Sequence, residues 1–168
     1  MKIYTPADLG KLPDLPTFTL GEKWMALGAA DDGKANLMTA SWGGFGTLWG
    51  RPVAFVFLRP ERYTFGIVSK TEKITLSFFD EESREMLRTL GTLSGRNCDK
   101  CALAGAEITV DNGFVLPRAA KPVVFGHKLF ETDLAAGRFI ESEITEKWYR
   151  TGTPHTLFVY EVEKILSR

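Results

Sequence analysis

Arg51, Arg59, Arg62 and Lys70 fall in one window of the chain that holds a single acid, Glu61. A second basic island, Arg96 and Lys100, follows the run Ser94-Gly95-Arg96. The chain as a whole is neutral, with 21 Lys+Arg against 21 Asp+Glu. Two local islands in a neutral chain can share a bound anion. Arginine suits this because its planar fork bonds two phosphate oxygens at once. Thr64 lies where a helix is predicted to start, and a hydroxyl beside free backbone N–H groups favours a phosphate. The competing reading is scattered solvent-facing charge.

The stretch NLMTASWGG, 36–44, begins apolar at Leu37 and Met38. It then shrinks to Thr39, Ala40 and Ser41 and ends on Trp42 and two glycines. Small residues leave space beside the backbone, where a flat ring can lie and bond main-chain groups. They equally allow close packing of the backbone against a neighbouring strand or subunit. Both readings stand at this level.

The two cysteines, Cys98 and Cys101, form a CxxC pair. No second ligand pair accompanies them, which excludes a zinc site; no metal is expected. The βαβ setting of a thioredoxin-like motif is also missing. Two ordinary thiols, or a dithiol that exchanges electrons with a cofactor, remain. His127 and His155 are the only histidines, and no Ser-His-Asp or Cys-His arrangement suggests itself.

These residues need elements to hold them. KWMALGAA (23–30) and ANLMTASW (35–42) flank DDGK, the signature of a β-hairpin. GGFGTLWG (43–50) reads as a loop or irregular strand end. PVAFVFL (52–58) is a continuous apolar run, as in a strand buried on both faces. A short helix is expected over 63–70 and a strand over 73–79. Asp80 is expected to cap a helix whose buried face is Met86, Leu87, Leu90 and Leu93. Strands follow at 106–110, 114–117 and 122–134. Ile140, Ile144 and Trp148 then fall on one helical stripe, read as core or dimer contact and alternatively as a lid. A closing strand covers 153–166. Many short strands with three short helices predict a mostly β barrel.

The length predicts one domain, 1–168, with the Pro-bearing residues 1–21 wrapping its surface. The charge balance excludes non-specific nucleic-acid binding. No apolar run is long enough for a membrane span and no signal peptide is read, so the expected location is cytoplasmic.

Five blocks, NLMTASWGG, PVAFVFLRPERYT, KITLSFF, LGTLSGRNCDK and HTLFVYEV, together resemble the flavin reductase-like, FMN-binding split-barrel family, and its flavoredoxin-type branch in particular. The resemblance implies a Greek-key split β-barrel and a homodimer with FMN near the subunit interface. It implies that Thr39, Ala40, Ser41 and Trp42 run beside the isoalloxazine ring, next to Met38. It implies that Arg59, Arg62, Tyr63 and Thr64 face the ribityl phosphate, and that Ser94, Gly95, Arg96 and Lys100 complete the cradle. His155 would lie near the ring or the nicotinamide and is the one catalytic candidate. The implied activity is an NAD(P)H-dependent flavin oxidoreductase passing electrons to a flavin, iron protein or small molecule. The alternatives are an electron-transfer flavoprotein reduced by a protein partner and a binding protein without turnover. The residues do not choose NADH over NADPH.

Overall fold

The computed structural model describes residues 5–6 and 20–167. The expectation for residues 1–21 therefore falls almost wholly outside the described residues. The strands are β1 (Thr5–Pro6), β2 (Met25–Asp31), β3 (Lys34–Ala40), β4 (Gly43–Leu48), β5 (Arg51–Leu58), β6 (Lys73–Ser77), β7 (Ile108–Asp111), β8 (Phe114–Pro117), β9 (Val123–Asp133) and β10 (Thr156–Ser167). The helices are α1 (Leu20–Lys23), α2 (Tyr63–Val68), α3 (Arg84–Thr92), α4 (Lys100–Leu103) and α5 (Ser142–Trp148), so among the described residues five short helices replace the expected three.

The main sheet is antiparallel in the order β3-β2-β6-β9-β10-β5-β4, with β1 added to β10. Its shape follows from one connection. β3 and β4 are six strand spacings apart in the sheet, which is about 29 Å if the sheet lay flat. Yet only Ser41 and Trp42 join them. The three Cα steps from Ala40 to Gly43 reach at most about 11 Å. The sheet must therefore curl until its two edge strands come near one another. This leaves a seam beside the strand end that the sequence singles out.

The β2–β3 hairpin forms as expected. Asp32 and Gly33 both take positive φ, 45° and 76°, the pairing that a two-residue type I′ turn demands. Along β2, Met25, Leu27 and Ala29 enter the core inside the curl, with Met38, Val56, Leu76, Phe158 and Tyr160. Ala26, on the opposite face, joins Leu37, Leu87, Leu90, Cys101 and Val115 beneath α3, α4 and the β7–β8 hairpin. The sheet is thus buried on both faces along β2, as alternating side chains require.

Four local expectations are corrected. GGFGTL is a regular strand, fully registered against β5, because main-chain pairing overrides the glycine count. Within this chain β5 buries Ala54, Val56 and Leu58 on one face, while on the other only Val53 is buried and Phe55 and Phe57 stay half-buried. Asp80 makes no side-chain cap; its carboxylate instead meets Lys121 at 2.8 Å. Ile140 precedes α5 and is 75% exposed, and α5 buries none of its residues, so the stripe is not core in this chain.

Candidate functional site

The seam opens into a cleft of about 240 Å³ lined by Met38, Thr39, Ala40, Ser41, Trp42, Phe57, Leu58, Arg59, Arg62 and His155. Three strand ends build it. β3 delivers Met38 to Ala40, the end of β5 delivers Phe57 and Leu58, and the residue before β10 delivers His155. Phe57 and Leu58 went unnoticed in the sequence, although they directly precede Arg59 in the block quoted above.

The small-residue strand end divides between core and cleft. Met38 and Ala40 point into the core. Thr39 faces α3, where its hydroxyl donates to the Leu87 carbonyl at 2.5 Å. A Cβ on Gly91 would come within 3.3 Å of Thr39, so the helix packs tightly here. Ser41 and Trp42 remain half-buried and face the cleft.

The basic window splits. Arg51 pairs with Glu161 at 2.8 Å and Lys70 with Asp31 at 4.0 Å. Among the described residues, Arg59, Arg62, Arg96 and Lys100 bond only neutral acceptors. Arg62 donates to the Gly91 carbonyl at 2.8 Å and to Met38 Sδ at 3.3 Å. Lys100 Nζ donates to the adjacent Leu90 carbonyl at 2.9 Å. These two carbonyls belong to the last turn of α3, which lacks helical partners and carries the negative end of the dipole. Both cations thus cap α3, a role the sequence did not suggest. Burial lowers the Arg62 pKa. Burial, with the Arg62 charge next, brings Lys100 down to about 8.

Arg59 donates to the Trp148 carbonyl at 2.5 Å and lies 5.6 Å from the Tyr149 ring centroid. Arg96 donates to the Glu61 carbonyl at 2.9 Å. The Thr153 N–H donates to the Glu61 carboxylate at 2.6 Å and lowers its pKa. These bonds fasten the segment around α5 beside the cleft. There Trp148 meets Trp42 edge-on at 4.9 Å, and Trp42 lies 4.6 Å from the His155 ring. His155 Nδ1 is 3.0 Å from the Tyr149 hydroxyl. Burial, then the Arg59 charge, holds the His155 pKa at about 4. The imidazole is neutral near pH 7, so it can offer or accept a hydrogen bond but is no proton reservoir there.

The remaining expected residues do not share this cleft. Tyr63, Gly95 and Lys100 line a second, larger cavity of about 700 Å³, together with Asn36, Cys98 and Cys101. Gly95 is required by close approach: a Cβ there would meet Tyr63 Cδ1 at 2.6 Å and Asn36 Oδ1 at 2.8 Å. Ser94 accepts the Arg96 N–H at its hydroxyl. Thr64 is 1% exposed, and its hydroxyl accepts from Asn36 at 2.6 Å. The Thr64 hydroxyl is thus taken by Asn36, and the 3%-exposed Lys100, although it lines the larger cavity, has its Nζ on the Leu90 carbonyl.

No protein-family model and no curated protein matches the chain. Solved structures do. An FMN-binding domain of a flavin reductases-like enzyme from Shewanella baltica aligns over 98% of this chain and 76% of its own, with a TM-score of 0.71 at 14% identity. Flavoredoxin from Methanosarcina acetivorans aligns over 87% and 68%, with a TM-score of 0.68 at 18% identity. An FMN-binding protein from Thermus thermophilus, with bound p-hydroxybenzaldehyde, aligns over 84% and 69%, with a TM-score of 0.64 at 22% identity. The chain shares their fold, the split barrel expected from the sequence.

Proposed function

We propose that this chain binds FMN in the cleft at the seam and works as a flavin oxidoreductase with NAD(P)H as donor. The observation that carries the reading is the cleft's donor set. A wall of small residues, Thr39 to Ser41, stands beside Arg62, which bonds the Gly91 carbonyl and Met38 Sδ, and Arg59, which bonds the Trp148 carbonyl with the Glu61 carboxylate nearby. Cations paired only to neutral carbonyls retain electrostatic demand for an anion. A flat ring against the wall and a phosphate at the arginines fit that set. Bound there, FMN would supply a ring that accepts hydride from the nicotinamide and passes electrons on, chemistry for which the residues lining the cleft have no group of their own. The chain's residues bind and orient: the Arg59 and Arg62 guanidiniums hold the phosphate, Trp42 flanks the ring, and neutral His155 offers a hydrogen bond at its edge.

The cleft of one chain, about 240 Å³, is smaller than the roughly 300–1,000 Å³ usual for ligand pockets. A second copy supplying the rest accounts for the shortfall. Trp49, 59% exposed, with Phe130 at 6.0 Å gives an apolar surface for such a homodimer. Location in the cytoplasm remains part of the same proposal.

The second reading is an electron-transfer flavoprotein reduced by a protein partner. The α5 segment favours it, because Trp148 packs on Trp42 beside the approach a nicotinamide would need. Titrating the flavin-free protein with FMN tests the shared premise, and absence of binding removes both readings. Anaerobic NADH or NADPH then separates them. Prompt bleaching of the bound flavin supports the reductase; a flavin that stays oxidised supports the partner-reduced form.

A further inference from the structure

We propose that Cys98 and Cys101 form a dithiol centre, open to the 700 Å³ cavity, that closes to a disulfide by exchange with a low-molecular-weight disulfide of the glutathione class. This does not depend on the flavin reading.

Both cysteines are free thiols and both line that cavity, beside Asn36, Tyr63 and Lys100. They differ in exposure: Cys98 is half-buried, whereas Cys101 is 6% exposed. An incoming disulfide can therefore reach Cys98 and not Cys101. Burial raises the Cys101 pKa, which keeps that thiol protonated and unreactive until an adduct forms next to it. The Lys100 side chain lies within electrostatic reach of both thiols. No metal competes for the pair on geometric grounds, since no group of three His, Cys, Asp or Glu side chains converges among the described residues.

The local backbone permits closure. Cys101 belongs to α4, while Cys98 lies outside it, beyond Asp99. Residues three apart on a helical turn place their Cβ atoms about 5–6 Å apart, and a disulfide needs about 3.5–4.5 Å. Asp99 has non-helical φ −76° and ψ 87° and is the joint at which that gap closes. Among the described residues, one long hydrogen bond, 3.5 Å to the Ser94 carbonyl, holds the Cys98 thiol in place.

The exchange balances. The Cys98 thiolate attacks one sulfur of the small disulfide, the S–S bond breaks, and one thiol leaves with a proton. Cys101 then loses its proton and attacks Cys98 Sγ, expelling the second thiol. Two protein thiols are oxidised to one disulfide, and one small disulfide is reduced to two thiols.

The purified full chain is incubated with oxidised glutathione and followed by intact mass and peptide mapping. The expected product has lost two hydrogens, carries a Cys98–Cys101 cross-linked peptide, and reverts with dithiothreitol. Cys101→Ser should retain one glutathionyl adduct on Cys98, and Cys98→Ser should stay unmodified. Iodoacetamide should alkylate Cys98 about tenfold or more faster than Cys101, as the more exposed thiol. A wild-type chain that keeps a glutathionyl adduct without closing, or that remains a dithiol, overturns the proposal. So does alkylation of the two thiols at equal rates. The wild-type peptide map decides the question even if a serine variant folds poorly.

Discussion

Replacing Arg62 with Met separates its two roles. Methionine keeps the length of the stem and removes the charge. In the free protein Arg62 makes two bonds: that to the Gly91 carbonyl, with a charged donor, is worth about 1.5–3 kcal/mol and the weak one to Met38 Sδ less. Against their loss stands relief of a half-buried cation whose pKa is already lowered by desolvation. The two effects oppose, so Arg62→Met should change the stability of the free protein by no more than about 1 kcal/mol. Binding is another matter. A charge-assisted bond from Arg62 to a phosphate is worth about 1.5–3 kcal/mol, or roughly 10–150-fold in Kd. Fluorescence titration should therefore show FMN affinity falling by about that factor, with riboflavin, which lacks the phosphate, changing by less than about threefold. The FMN affinity that remains should also depend less on salt. Equal losses for FMN and riboflavin would refute the assignment of Arg62 to the phosphate. A stability loss above about 3 kcal/mol would show that capping α3 is its main task.

Other consequences are independent of the flavin. Gly28→Ala puts a Cβ 2.5 Å from Thr75 Oγ1 and 2.9 Å from Val115 Cβ; urea unfolding should show a loss of about 1–3 kcal/mol from overpacking, and a loss below about 0.5 kcal/mol would contradict the packing of β2 on β8. The Tyr160 hydroxyl is buried with no hydrogen-bond partner among the described residues, so Tyr160→Phe should be neutral or stabilising by up to about 1 kcal/mol; a clear loss of stability would mean the hydroxyl is satisfied in solution. His155 has its pKa lowered from 6.5 to about 4, so the unfolded chain binds a proton at this site that the folded chain does not. Stability from this group is present above pH 6.5 and is lost as the pH falls toward 4. With partial solvent screening the loss should be about 1–2 kcal/mol. Denaturation midpoints for His155→Gln should fall less over that interval than those of the wild type; identical profiles would place the loss on other groups.

Much of the fold was legible because its signals are local. Asp32-Gly33 dictates a type I′ turn whatever surrounds it, so the β2–β3 hairpin could be read directly. The β-rich runs at β5, β6, β9 and β10 appear as strands for the same reason, since alternation and branching act over a few residues. The glycines of β4 misled, because pairing with β5 is a long-range interaction that outweighs their low strand preference. Asp80 misled likewise: it had a choice between a cap and the distant Lys121, and only the folded chain places Lys121 within reach.

The site divides along the same line. The residue types, small at Thr39–Ser41 and basic at Arg59 and Arg62, belong to the sequence alone, and so does the CxxC spacing. Which of them meet is a property of the curled sheet. Two residues join strands six positions apart, so chain connectivity forces the seam, and the seam gathers Met38–Trp42, Arg59, Arg62 and His155. The same closure buries Thr64 and sets Tyr63, Gly95 and Lys100 on the other cavity. No period or motif encodes that partition, because it depends on the distance between strands that the sequence separates and the hydrogen-bonded sheet brings round.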